Sequence, residues 1–182
     1  MMLQIYSYPI KLCLMLLFGH IGITIGIFYA LLKLMKKDFD YRFVVLGAII
    51  SDIIDKPLGL IILGMGNGRI IAHTAIFALA ITAIALYKKD IRFYAISGSV
   101  WLHLLFDFMW LFPATLLWPL MGSFLNGSYT IYMIPNSFFA DSFVTASEIA
   151  GLFIIIFLIM KNRLYKRENF MTFLKSGKLK SF

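Results

Sequence analysis

The chain has 182 residues, 61% of them hydrophobic and 14% charged, with a net charge of +8 and a mean hydropathy of +0.87. Soluble domains carry roughly 25% charged and roughly 45–50% apolar residues, so this balance excludes an ordinary soluble domain and points to a membrane protein. The basic residues sit in short clusters between apolar runs, which excludes a nucleic-acid footprint and fits membrane topology. The lone cysteine, Cys13, excludes an internal disulfide.

Five apolar runs follow one another: Ile10 to Leu34, Phe43 to Met65, Ile70 to Tyr87, Phe93 to Phe112 and Phe143 to Met160. Each approaches the roughly 20 residues that cross a hydrocarbon core about 30 Å thick. Lipid cannot satisfy open backbone groups, so the runs are expected to be helices. The fold class expected is therefore all-α: a polytopic bundle of five transmembrane helices over residues 1–160, then a basic cytoplasmic tail over 161–182. The N-terminus has no small-residue cleavage site and reads as retained.

Fourteen of the seventeen basic residues fall after runs one, three and five. Among them are Lys33, Lys36, Lys37 and Arg42, then Lys88, Lys89 and Arg92, then Lys161, Arg163, Lys166 and Arg167. The other ends hold Lys11, Lys56 and Arg69. The positive-inside rule then places the N-terminus outside the cell membrane and the C-terminus in the cytoplasm. The segment from Pro113 to Asp141 falls outside, with Trp118, Tyr129 and Tyr132 as an interfacial belt.

The stretch GAIISDIIDKPL, residues 47–58, sets Asp52 and Asp55 in apolar surroundings. At 1.5 Å per residue, His20 lies near the middle of run one, and Asp52 and Asp55 in the outer half of run two. His73 lies just inside run three, His103 and Asp107 in the outer half of run four, and Glu148 in the outer part of run five. All three histidines and four of the nine acids thus share one layer. Asp52 and Asp55 are spaced i,i+3, and His103 and Asp107 i,i+4, so each pair shares a helix face. Imidazoles with carboxylates suit zinc, manganese or iron(II). A cation also explains the buried acids, since each charge costs at least ~2.5–3.5 kcal/mol at the bilayer centre unless neutralised. Competing readings are structural ion pairs of the aspartates with Lys56 and Arg69, an interhelical hydrogen bond for His20, and a packing or gating role for Glu148. Gly19, Gly22 and Gly26 read as close-packing positions.

The order GH in the first run, GAIISDIIDKPLG in the second, NGRIIAHTAIF opening the third, HLLFD in the fourth and LLWP after it resembles the membrane-bound metal-dependent hydrolases, the YdjM-like, LexA-regulated group. The resemblance runs from Gly19 to about Pro119. Ser51 stands where that family usually has proline, and Gly68 where many members have a first histidine. The resemblance implies a site of His20, Asp52, Asp55, Arg69, His73, His103 and Asp107. The HxxxD element is also similar to part of the site in zinc-dependent phospholipase C.

The activity expected is metal-dependent hydrolysis of a phosphoester on a lipid or lipid-linked substrate at the outer membrane face. Its cofactor would be one or two divalent ions, zinc or manganese. His20, Asp52, Asp55, His73, His103, Asp107 and Glu148 are the candidate metal ligands. His73 and Asp55 are the candidate catalytic groups, and Arg69 and Lys56 the candidate substrate-binding cations. The expected partners are membrane lipid and that substrate, with no nucleic acid. A metal-ion or proton transporter, or a non-enzymatic membrane protein, is the alternative; Thr24, Ser97 and Ser99 are the only polar steps seen inward of Asp52.

Overall fold

A computed structural model describes residues 15–35, 39–124, 126 and 141–179. Lys11, Cys13, Lys36, Lys37, Tyr129 and Tyr132 lie outside the described residues. Every regular element among the described residues is helical. In chain order these are α1 (Leu17–Leu34), α2 (Tyr41–Lys56), a π-helical turn (Pro57–Ile62), a 3-10 turn (Ile71–His73), α3 (Ala75–Lys88) and α4 (Ile91–Phe106). A second 3-10 turn (Met109–Leu111), a short α5 (Pro113–Leu116), α6 (Ser142–Lys161) and α7 (Arg167–Ser176) complete the order.

Local sequence sets most of the boundaries. Asp40, Thr74, Asp90 and Asp141 each accept a backbone N–H from the first turn of the helix they precede, so α2, α3, α4 and α6 start at side-chain caps. Pro57 has no N–H to donate into the preceding turn. Beyond it the register slips, and Leu63 N donates to Leu58 O, five residues back, at 2.8 Å. The second apolar run is thus one helical rod in two pitches.

Glycine decides how closely the helices meet. A Cβ on Gly22 would lie 2.1 Å from the carbonyl oxygen of Gly151, so α1 and α6 touch backbone to backbone. A Cβ on Gly47 would lie 2.6 Å from Ile96 O, which brings α2 equally close to α4. α1 thereby packs between α6 and α2, and α4 between α2 and α3. One end of the bundle is closed by Leu32, Phe39, Tyr41, Val44 and Ala95, with Phe173 of α7 packed against them. Arg42 and Arg92 mark this basic end. The tail after Lys161 is therefore partly helical and docked, with Arg42 donating to Leu174 O at 2.7 Å.

The polarity of the molecule is inverted relative to a soluble domain. Fully buried polar residues include His20, Asp55, His73, His103 and Asp107, while Ile53, Ile62, Leu79, Leu86 and Phe153 are exposed. Only α1 and α6 among the described helices are long and apolar enough to cross a membrane by themselves. α3 and α4 are apolar but shorter, and α2 is interrupted at Pro57.

The boundaries also move the expected residues. α1 begins at Leu17, so His20 sits in its first turn rather than mid-helix. His73 belongs to the 3-10 turn ahead of α3, and Asp107 is the residue that closes α4.

Candidate metal centre

His20, Asp52, His73, His103 and Asp107 come together at the end of the bundle opposite Arg42 and Arg92. They arrive from the first turn of α1, the last turn of α2, the turn before α3 and the end of α4. One ligand atom from each of Asp52, His73, His103 and Asp107 lies within 4.8 Å of the others.

Asp55 does something different from the expected ligation. Its carboxylate is fully buried and organises the 70–73 turn. Oδ2 accepts from Ile70 N at 2.8 Å and His73 N at 3.0 Å, and Oδ1 accepts from Ala72 N at 2.9 Å. His73 Nδ1 lies 2.7 Å from the same Oδ2. An acceptor already facing two amides takes the Nδ1 proton as well, so His73 turns its Nε2 lone pair inward. The same logic fixes His103. Its Nδ1 lies 2.7 Å from Ala48 O, a group that only accepts, so Nδ1 carries the proton and Nε2 the lone pair.

The two Nε2 atoms face each other at 3.2 Å. Two lone pairs hold that separation only with a cation between or beside them. A proton on His73 Nε2 would also bridge the two nitrogens and would face Asp107 Oδ2 at 3.4 Å, whereas a metal ion would engage the surrounding oxygens together. Around them, Asp52 Oδ1, Asp107 Oδ1 and His20 Nε2 are buried without a hydrogen-bond partner among the described residues. His20 Nε2 is 3.1 Å from Asp107 Oδ1 but outside hydrogen-bonding geometry, and its ring stacks on His103 with centroids 4.0 Å apart.

This donor set could hold a metal ion, and four of its six ligand-to-ligand edges are near the lengths an ion requires. Tetrahedral bonds of about 2.0–2.1 Å imply ligand-to-ligand edges of about 3.3–3.4 Å. The edges from His73 Nε2 are 3.2 Å to His103, 3.4 Å to Asp107 Oδ2 and 3.7 Å to Asp52 Oδ1, and His103 to Asp52 is 3.9 Å. Two imidazoles and two carboxylates match the borderline character of zinc and its first-row neighbours. The hydrogen bonds from Nδ1 of His73 to Asp55 and of His103 to the Ala48 carbonyl are the outer contacts such ligands need to hold their tautomer.

The expected substrate-binding cations border the centre, each holding one of its carboxylates. Lys56 Nζ lies 2.6 Å from Asp52 Oδ2, and Arg69 Nε donates to Asp107 Oδ2 at 3.0 Å. The Arg69 guanidinium stacks over Phe112 at 5.2 Å from the ring centroid. Asp52 and Lys56 are the partly exposed members, with side chains 14% and 20% accessible, so the centre opens beside them.

Glu148 is in the right layer but faces away from the centre. Its two oxygens accept from Phe18 N at 2.9 Å and Gly19 N at 2.7 Å. These are first-turn amides with no intrahelical acceptor, at the positive end of the helix dipole. Glu148 therefore caps α1 from across the bundle, which is the packing role weighed for it.

The contributors invisible to sequence reading are the amides of Ile70 and Ala72, the Ala48 carbonyl and the Phe112 ring. The first three are main-chain groups and leave no side-chain signal. Phe112 had one, since it opens the FPATLLWP segment, but eighteen phenylalanines hide it.

No curated protein and no solved structure matches the chain. A family model described as YdjM inner membrane protein matches residues 15–170. The buried Asp/His centre lies wholly within that match, and the chain belongs to the YdjM inner membrane protein family.

Proposed function

We propose that the protein is a metal-dependent hydrolase of the inner membrane, acting on a phosphoester of a lipid or lipid-linked substrate at the outer face. The observation that carries this reading is the pair of Nε2 atoms of His73 and His103 3.2 Å apart, ringed by Asp52, Asp107 and His20. Asp52, His73, His103 and Asp107 would hold one divalent ion, zinc or manganese, with His20 as a fifth donor. Such an ion supplies an activated water and a polarised phosphoryl oxygen.

Charge balance supports an anionic substrate. With carboxylates ionised and rings neutral, Asp52, Asp55 and Asp107 outweigh Lys56 and Arg69 by one charge. A divalent ion reverses that sign, and a buried positive centre draws an anion. Arg69 would grip it with its planar fork and Lys56 as a point charge at the opening. Asp55 would act as a positioning residue, holding the ring of His73.

The membrane arrangement belongs to the same proposal. α1, the α2 rod with its π turn, α3, α4 and α6 would form five spans, with the basic end cytoplasmic and residues 161–182 as the basic tail. Cysteines placed at Asn126 and Ser176 in a Cys13→Ala background should label from opposite sides; labelling of both from one side contradicts the arrangement.

The activity test is release of phosphate or headgroup from a panel of lipid phosphoesters in mixed micelles, with metal content measured on the same samples. Arg69→Lys should keep its metal and turn over substantially more slowly, because the charge stays and the fork is lost. Asp52→Asn should lose both. Metal-replete wild type that hydrolyses nothing across the panel, yet takes metal into proteoliposomes, would contradict the hydrolase reading and favour a transporter.

A further inference from the structure

Eight buried side-chain polar atoms lack a hydrogen-bond partner among the described residues, and seven belong to one region. Three of them, on His20, Asp52 and Asp107, face the metal centre. Four remain: His20 Nδ1 and the hydroxyls of Thr24, Ser51 and Ser99. The three hydroxyl residues are completely buried.

Their position is fixed by the helices. Leu32 of α1 packs with Ala95 of α4 at the basic end, and His20 stacks on His103 at the other, so α1 and α4 run antiparallel. Thr24 lies four residues after His20 and Ser99 four before His103. Both therefore sit on the histidine faces, about 6 Å nearer the basic end at 1.5 Å per residue. Ser99 packs against Gly47 of α2, and Ser51 lies one turn outward from Gly47, next to Asp52. An ion that bonds its ligands at about 2.0–2.2 Å does not reach Thr24 or Ser99.

A helical serine or threonine has an easy way to satisfy itself, by donating to a carbonyl three or four residues back. Thr82, Thr145 and Ser147 do so, onto Ala78 O, Asp141 O and Val144 O. Thr24, Ser51 and Ser99 do not. Three fully buried hydroxyls that forgo the local bond, grouped beside an unpaired imidazole nitrogen, need a polar guest.

We propose that Thr24, Ser51, Ser99 and His20 Nδ1 bind a short row of water molecules on the basic-end side of the metal centre. Water matches the chemistry, because each guest needs two to four partners that both donate and accept, and hydroxyls do both. The row meets the centre at His20, on the side away from the Asp52–Lys56 opening. It would keep water beside the reacting atoms while a substrate fills that opening. This use of the water rests on the hydrolase reading; the water site rests on the orphaned atoms alone.

The sign of a stability change tests the site. Thr24→Val is isosteric and removes only the hydroxyl, and Ser99→Ala is its counterpart on α4. If water bridges these groups, each variant strands a partner and melts lower, by about 2–8 °C for a chain of this size. If the layer is dry, each variant removes an unpaired polar group and melts higher by a similar amount. Thr24→Ser keeps the hydroxyl and loses a methyl, so it should melt above Thr24→Val, including where Thr24→Val does not fold. Thr24→Val at or above wild type, or above Thr24→Ser, overturns the proposal. Melting is read on metal-loaded protein without substrate, so failure of the hydrolase reading leaves this test intact.

Discussion

The two ends of the bundle use the same pairing of aspartate with a cation to opposite effect. At the basic end, Asp40 caps α2 and grips Arg42 at 2.6 Å, and Asp90 caps α4 and grips Arg92 at 2.5 Å. These pairs are two residues apart, local and wet. At the other end Asp107 meets Arg69 across 38 residues, in a setting where Asp107 is 1% accessible. The first kind of pair starts a helix and is interchangeable with other caps. The second is buried, so loosening it on one side unbalances charge where water does not compensate.

The largest effect should therefore follow Asp107→Ala, which removes the carboxylate from its buried pair with Arg69. Breaking a buried pair in this way costs roughly 3–5 kcal/mol, so the variant should fold poorly or melt far below wild type. A loss under about 1 kcal/mol would place this pair with the surface ones.

Asp55→Asn should come next. An amide accepts fewer of the three backbone amides, and it no longer matches the His73 Nδ1 donor. Outer-contact losses of this type typically cost 10–100-fold in metal affinity. A competitive chelator titration reads it, and an unchanged affinity would mean that Asp55 serves the turn alone.

The smallest effect belongs to the basic end and fades in acid. Hydrogen bonds from Arg42 hold the Asp40 carboxyl below its ordinary range, and those from Arg92 do the same for Asp90. A depressed folded-state value means the unfolded chain binds more protons. Their contribution is then complete above the usual carboxylate value of about 3.9 and is lost as pH falls through the lower folded values. Asp40→Asn/Asp90→Asn should be slightly less stable than wild type at pH 7 and converge with it in acid, because its stability no longer falls with pH below about 4. An equal loss at both pH values would contradict this account.

The same contrast explains what the sequence discloses. Asp-x-Arg ahead of an apolar run is a local signal, and all four side-chain caps are of residue types that stand openly before their helices. Depth along the apolar runs places His20, Asp52, His73, His103 and Asp107 in one layer. Direction within the layer was not legible. Asp52 and Asp55 share a helix face by spacing, yet three residues at about 100° each leave them about 60° apart. That is enough for Asp52 to turn toward His103 while Asp55 turns into the 70–73 turn. Depth likewise put Glu148 among the ligands, but its partners are the Phe18 and Gly19 amides, 130 and 129 residues away. Main-chain partners of this kind carry no pattern to read.

Metal content of detergent-purified protein, after exposure to zinc or manganese and removal of loose ions, tests the centre most directly. Asp52→Asn is the informative variant because its partner Lys56 is partly exposed and tolerates the loss, and Glu148→Gln is the control from the same layer. The account predicts one tightly held divalent ion per chain in wild type and in Glu148→Gln, and none in Asp52→Asn. A wild type that holds no ion, or an Asp52→Asn variant that holds as much as wild type, would contradict it.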